Sequence, residues 1–273
     1  MPLYEAGWLA SAGLGSAVGL ILALTGAGGA IVAVPLLIFG MHLSVSQAAP
    51  VALLAVGLSA GLGSALGLRE GTVRYKAAAL MALCGVVLSP MGVWAAQRVP
   101  NTPLTLLFAM VLAHVAIRIF RQARTTAPAA FSPHHTAPPC HLDAVRGKLI
   151  WTLPCARTLA SWGAAAGFLS GLLGVGGGFV VVPALRRATD LPMQTIVATS
   201  LAVIALVSAS GVVASAIGGH VDWRIALPFA AGALAGMLAG RGFARHLAGP
   251  ALQQGFAAFA GVVAIGLVVR AMA

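Results

Sequence analysis

Apolar residues occur in ten runs along the chain, separated by short polar segments. Most of these runs approach the roughly 20 residues that an α-helix needs to span a bilayer. The run that starts at residue 178 is far shorter, because it ends at Arg186 and Arg187. The pattern therefore predicts an all-α bundle of membrane-spanning helices with helix breaks or re-entrant hairpins. The runs are 8–24, 30–41, 48–68, 77–97, 104–120, 158–173, 178–185, 195–217, 225–240 and 251–269.

The second five runs repeat the first five at an offset of 148 residues. The first copy of a shared motif is Gly26, Gly28, Gly29 and Pro35, and the second is Gly174, Gly176, Gly177 and Pro183. The same offset pairs Leu53 with Leu201 and Phe108 with Phe256 without a gap. Such duplication is common among secondary transporters. We expect membrane repeat 1 at residues 1–120 and membrane repeat 2 at 158–273.

A linker at 121–157 is expected between the repeats, because this stretch is rich in Pro, Thr, His and basic residues. Imidazole and thiolate groups in the linker could ligate a soft metal, but their spacing is not that of a structural zinc site. We expect neither a metal nor a cofactor. The three cysteines also predict no disulfide framework. The potential ligands are His134, His135, Cys140 and His141.

Composition indicates that lipid surrounds most of the chain. Apolar residues make up 60 % of it and charged residues 8 %, whereas a soluble domain is about one quarter charged. The net charge of +11 does not indicate nucleic-acid binding, since Lys and Arg lie at the ends of apolar runs and in the linker. The expected partners are the bilayer and a small anionic substrate, and a homo-oligomer is compatible with the sequence.

The positive-inside rule places the linker in the cytoplasm, since six basic residues lie in or beside it. If each half crosses the membrane an even number of times, the halves are parallel and 11 basic residues lie inside against 5 outside. If each half crosses an odd number of times, the halves are inverted and the division is 13 to 3. The second division favours inverted repeats with both termini outside.

The glycine clusters are the candidates for chemistry. A helix broken in the membrane exposes N–H groups, and the N-terminus of the next helix attracts an anion. Close packing of helices is the competing explanation for glycine in such segments, and it accounts well for the glycines spaced along the other runs. No catalytic residue is expected. The predicted substrate-binding residues are Gly26, Gly28, Gly29, Gly174, Gly176, Gly177, Gly178, Thr199 and Ser200.

Two other functions stay open on the residues alone. An intramembrane hydrolase would need a nucleophile and a base at depth, and His114 is the ionisable group in the middle of an apolar run. His114 could instead relay protons or bond a neighbouring helix. A membrane partner subunit without transport activity would not need paired helix breaks.

Both glycine clusters, the ATSL stretch at Ala198–Leu201 and the GGHVDW stretch at Gly218–Trp223 resemble the TauE/SafE family. The resemblance covers nearly the whole chain apart from the linker. It implies a bacterial inner-membrane transporter of sulfite, sulfonates or related sulfur anions, and not an enzyme. The first half departs from the pattern, since Val51 and Ala52 stand where the second half has Thr199 and Ser200.

Overall fold

The structure is a computed structural model that describes residues 2–25, 28–124, 140, 152–247 and 250–272. This described part of the chain folds almost entirely into ten helices, one for each apolar run, so the predicted all-α bundle is confirmed. The helices are α1 (Pro2–Thr25), α2 (Gly28–Gly40), α3 (Val45–Arg69), α4 (Tyr75–Arg98), α5 (Asn101–Arg124), α6 (Leu153–Leu173), α7 (Gly178–Ala188), α8 (Met193–Ile217), α9 (Trp223–Leu247) and α10 (Pro250–Met272).

Five of these helices, among the described residues, are long and apolar enough to cross a membrane. Shorter apolar stretches lie at Trp8–Leu24, Gly29–Gly40 and Ala258–Val269.

Local capping defines some of the helix starts. Ser44 forms a capping box with Gln47 at α3, and the Thr152 hydroxyl accepts the Cys155 N–H at α6.

The helix bounds repeat at the offset seen in the sequence. The two 25-residue helices α3 and α8 begin 148 residues apart, and α4 and α9 do the same. The helices also pack in corresponding pairs, with α1 on α9 matching α6 on α4. Helices α3 and α8 pack against each other, as do α5 and α10.

Glycine permits the close approach of the paired helices. A Cβ on Gly15 of α1 would overlap the carbonyl oxygen of Phe229 on α9. In the matching pair, a Cβ on Gly163 of α6 would overlap the carbonyl oxygen of Met81 on α4. Phe229 and Met81 are themselves 148 residues apart. Close packing thus explains the glycines along these helices, as expected.

The central helices α3 and α8 run antiparallel. A Cβ on Gly57 of α3 would lie 2.9 Å from the Cβ of Ser208 on α8, and a Cβ on Gly67 would lie 3.3 Å from the Cβ of Ala198. Residue numbers therefore rise along α3 as they fall along α8. Helix α8, which begins 148 residues after α3, therefore points in the opposite direction to α3.

The two helices that flank the linker extend further into it than the sequence predicted. Helix α5 continues to Arg124 and α6 begins at Leu153, whereas the linker was placed at 121–157. Thr152 caps α6 and Pro154 follows in its first turn, where a missing N–H has no consequence. Residues 121–124 are Arg, Gln, Ala and Arg, all of which favour helix.

A disulfide joins Cys140 to Cys155, with Cα atoms 5.0 Å apart. The sequence analysis expected no disulfide framework and did not predict this pair. The Cys140 N–H also donates to the Ala188 carbonyl, and an isolated parallel bridge pairs Cys140 with Thr189. The start of α6 therefore lies at the same face as the end of α7. It follows that α6 and α7 form a hairpin that returns to the face where it began.

Candidate functional site

The chain reverses between α6 and α7 at a turn made of glycine. Helix α6 ends at Leu173, and Gly174, Gly176 and Gly177 then adopt φ values of 73°, 69° and 72°. Residues with a Cβ rarely adopt this left-handed conformation, which glycine reaches without steric cost. The next helix, α7, begins at Gly178. We refer to residues 174–178 as the second turn.

The second turn lies against the middle of the bundle. A Cβ on Gly174 would overlap the Cα of Ala49 on α3. A Cβ on Gly176 would lie 3.0 Å from both Val56 Cγ1 on α3 and Ile204 Cγ2 on α8. Val56 and Ile204 are each the twelfth of 25 residues in their helix. The turn therefore contacts equivalent positions of the two halves.

The N-terminus of α7 is buried and has no side-chain cap. All residues from Gly174 to Gly178 are buried, and the N-cap residue, Gly177, has no side chain that could accept a hydrogen bond. The Val180 and Val181 N–H groups both donate to the Gly177 carbonyl, whereas the first N–H groups of the helix, those of Gly178 and Phe179, precede any intrahelical acceptor. Together with the helix dipole, these N–H groups favour a negatively charged ligand.

The first glycine cluster is described only in part. Helix α1 ends at Thr25 and α2 begins at Gly28, while Gly26 lies outside the described residues. A Cβ on Gly29 would overlap the backbone of Leu22, so Gly29 lets α2 fold back onto α1. Helix α2 also touches α7, which brings the helices that follow the two clusters together.

The predicted hydroxyls of Thr199 and Ser200 are both engaged by protein groups. The Thr199 Oγ1 accepts the backbone N–H of Arg74 at 3.1 Å, and the Ser200 hydroxyl donates to the Val197 carbonyl at 2.8 Å. Both residues are fully buried. The Thr199 contact ties the loop between α3 and α4 to α8, at a level of α8 more than one turn away from Ile204.

Two other serines, which the sequence analysis missed, lie beside the second turn. Ser170 of α6 and Ser208 of α8 are 0 % exposed, and neither Oγ has a hydrogen-bond partner. Helical spacing offered a clue, because Ser208 follows Ser200 and Ile204 on one face of α8. That clue could not separate a hydroxyl with no protein partner from one bonded to its own helix.

Charged and metal-ligating groups do not gather at the second turn. The His114 side chain on α5 is exposed, and so does not serve as a buried base or relay inside the bundle. Within the described ranges, no three His, Cys, Asp or Glu side chains are placed to share a metal ion. Cys140 is oxidised, and His134, His135 and His141 lie outside the described residues.

A cavity of about 330 Å³ with polar and apolar lining lies at the start of α3 and the loop between α8 and α9. It is therefore at one end of the central helix pair. The residues that line it are Leu43, Ser46, Gln47, Gln97, Gly219, His220, Val221 and Asp222.

Comparison with known proteins agrees with the geometry. The family model for the sulfite exporter TauE/SafE matches residues 11–267. The chain belongs to the TauE/SafE family. It is a multi-pass membrane transporter of this family, rather than an enzyme, as the sequence predicted.

Three curated relatives are each described as a probable membrane transporter protein. One from Xylella fastidiosa strain 9a5c is 30 % identical over 229 residues, covering 82 % of this chain and 80 % of the relative. One from Xylella fastidiosa strain Temecula1 is 29 % identical with the same coverage. YunE of Bacillus subtilis is 46 % identical over 67 residues, 24 % of each chain. No solved structure matches the chain.

Proposed function

We propose that this TauE/SafE protein carries small sulfur-containing anions across the inner membrane by alternating access. The substrate class is sulfite, thiosulfate or a short organosulfonate, and the anion binds near the midplane at the second turn. The observation that carries the proposal is the buried, uncapped N-terminus of α7 beside the midpoints of α3 and α8. The family model, which is named for sulfite export, supports the sulfur chemistry.

The site has no Lys or Arg contact among the atoms nearest to the turn. Backbone N–H groups and the helix dipole would therefore hold the anion, with no bidentate guanidinium to fix its geometry. Binding of this kind is weak and tolerant of anion shape, which suits a carrier that must release its substrate. A small ligand is favoured, because Val56, Ile204 and Ser208 already lie close to Gly176.

Alternating access would follow from two inverted halves. The antiparallel course of α3 and α8 and the return of the α6–α7 hairpin to its own face support this arrangement. Each half would then cross the membrane three times, through α3–α5 and through α8–α10. Movement of one half against the other could expose the second turn to each face in succession.

The proposed orientation has the linker inside and both termini outside. Its basis is the 13-to-3 division of basic residues, and the closeness of Arg118 to Arg186 and Arg187 agrees with a single basic face. Disulfides persist mainly in oxidising compartments. In the cytoplasm, Cys140 and Cys155 would therefore be thiols that pair under oxidation.

The deciding experiment is sulfite transport by the full chain in proteoliposomes, with Gly176→Ala as the site variant. Alanine would strain the left-handed backbone and place a Cβ against three neighbouring side chains, so we expect transport to fall at least tenfold. Gly261→Ala on α10 is the matched control, because no atom lies within 4 Å of the new Cβ. Competition by acetate and a neutral sulfone measures selectivity for sulfur and for charge.

Equal competition by the neutral sulfone would rule out a helix-terminus anion site. Normal transport by Gly176→Ala would show that the second turn does not bind the substrate. A chemically altered solute inside the vesicles would favour the hydrolase alternative. The exposed position of His114 already provides no buried base for that reaction.

A further inference from the structure

Ser208 presents a free hydroxyl to the second turn. A Cβ on Gly176 would lie 3.1 Å from Ser208 Oγ, and Gly57 of α3 borders Ser208 on another side. The residue is fully buried and its Oγ has no hydrogen-bond partner. A buried hydroxyl without a partner is unfavourable, and nearly all such groups in native proteins bind protein, water or ligand. The Ser208 hydroxyl is therefore able to donate to a ligand at the turn.

Ser170 lies in the last turn of α6, which leads into the second turn. It precedes Gly174 by one helical turn, and its carbonyl accepts the Gly174 N–H at 2.8 Å. Ala166, one turn earlier on the same face of α6, has its carbonyl oxygen 2.7 Å from a Cβ built on Gly177. The Ser170 hydroxyl is also fully buried and unpartnered. The Ser170 backbone therefore joins the second turn, and the Ser208 hydroxyl lies beside that turn.

The matching positions of the first half offer no such groups. At the offset of 148 residues, Ser170 corresponds to Leu22 and Ser208 corresponds to Ala60. Neither leucine nor alanine has a side-chain donor or acceptor. The two halves therefore differ in hydrogen-bonding capacity at the place where their sequences otherwise agree most closely.

We propose that Ser170 and Ser208 donate hydrogen bonds to separate oxygen atoms of an oxyanion bound at the N-terminus of α7. The second turn then supplies the recognising groups, whereas Leu22 and Ala60 at the matching positions supply none. Ser59, beside Ala60 on α3, also has a buried hydroxyl without a hydrogen-bond partner. This inference rests on the proposed function, and it names the residues that select among anions. Two hydroxyl donors favour an anion with several oxygen atoms over a halide of the same charge.

The test is thermal unfolding of the full chain in detergent, titrated with sodium sulfite against sodium chloride of equal ionic strength. Ser208→Ala removes a donor to a charged acceptor, so we expect sulfite affinity to fall roughly 10- to 100-fold. In chloride alone, the melting temperature should stay the same or rise, because the variant loses an unsatisfied buried group. A serine with a structural role would instead lower the melting temperature in chloride. Ser170→Ala should behave in the same way.

Ser215→Ala is the matched control. Ser215 is fully buried on the same helix, but its hydroxyl donates to the Gly211 carbonyl of that helix at 2.8 Å. Sulfite should bind this variant as it binds the wild type. Wild-type sulfite affinity in Ser208→Ala, or an equal loss in Ser215→Ala, would overturn the assignment of the two serines while leaving sulfite transport intact. A wild-type protein that neither binds nor transports sulfite, thiosulfate or methanesulfonate would overturn the proposed function itself.

Discussion

At the scale of single residues, glycine has two separate tasks in this protein. In the second turn, Gly174, Gly176 and Gly177 have positive φ values that reverse the chain between α6 and α7. In the helices, glycines such as Gly15 and Gly163 have no Cβ where a neighbouring backbone passes. Hydroxyl groups also fall into two classes. The Thr199 hydroxyl accepts a backbone N–H and so fixes the loop before α4, whereas the Ser208 hydroxyl has no protein partner.

Replacement of Thr199 by valine tests the structural task. The change keeps the shape but leaves the buried N–H of Arg74 without its acceptor, so we expect the free energy of unfolding to fall by about 1–3 kcal/mol. Sulfite affinity should change little. Chemical denaturation in detergent gives the first quantity and the sulfite titration gives the second. Thr105→Val is the control, because that hydroxyl donates to the Asn101 carbonyl of its own helix. A large loss of affinity at unchanged stability would restore Thr199 as a substrate contact.

At the scale of helices, packing in corresponding pairs builds the frame around the second turn. Helix α6 packs on α4 as α1 packs on α9, and the central α3–α8 pair provides the wall that the turn contacts. The α6–α4 contact positions Ser170, because both Gly167 and Gly171 of α6 lie directly against the α4 backbone. The geometry of the site therefore depends on close helix packing.

The variant Gly167→Ala tests this dependence. Its Cβ would overlap the backbone of Gly85, so α4 and α6 must separate, and we expect a loss of about 1–3 kcal/mol in the free energy of unfolding. Gly261→Ala, which meets open space in α10, should instead stabilise the protein by up to about 1 kcal/mol through helix propensity. Urea titrations of both variants provide the comparison. Equal stability of the two variants would contradict the close contact between α4 and α6.

At the scale of the whole molecule, the proposed inverted arrangement would determine where each end of the chain lies. The antiparallel course of α3 and α8 supports this proposal. Arg118 of α5 lies close enough to Arg186 and Arg187 of α7 for their charges to interact. The disulfide holds Cys140 against the start of α6 and the end of α7.

A reporter that is active only in the cytoplasm tests the orientation. Fusion to Ala273 should give no activity, and insertion near Pro138 should give strong activity, because the 13-to-3 division of basic residues places the linker inside. A periplasm-specific reporter at the same two positions should give the opposite result and controls for expression. An active cytoplasmic reporter at Ala273 would exclude the inverted model with its termini outside.

The sequence by itself determined the ten helices of the described residues, their repetition and the glycine-rich turn after α6. These features depend on local hydropathy, length and backbone freedom. It could not determine the surroundings of each helix. Where 60 % of residues are apolar, the hydrophobic pattern does not separate a face towards lipid from a face towards another helix. Only the tertiary structure placed His114 outward, paired Cys140 with Cys155, and left Ser208 rather than Ser200 with a free hydroxyl beside the second turn. Each of these outcomes depends on contacts between residues far apart in the chain, which local pattern does not encode.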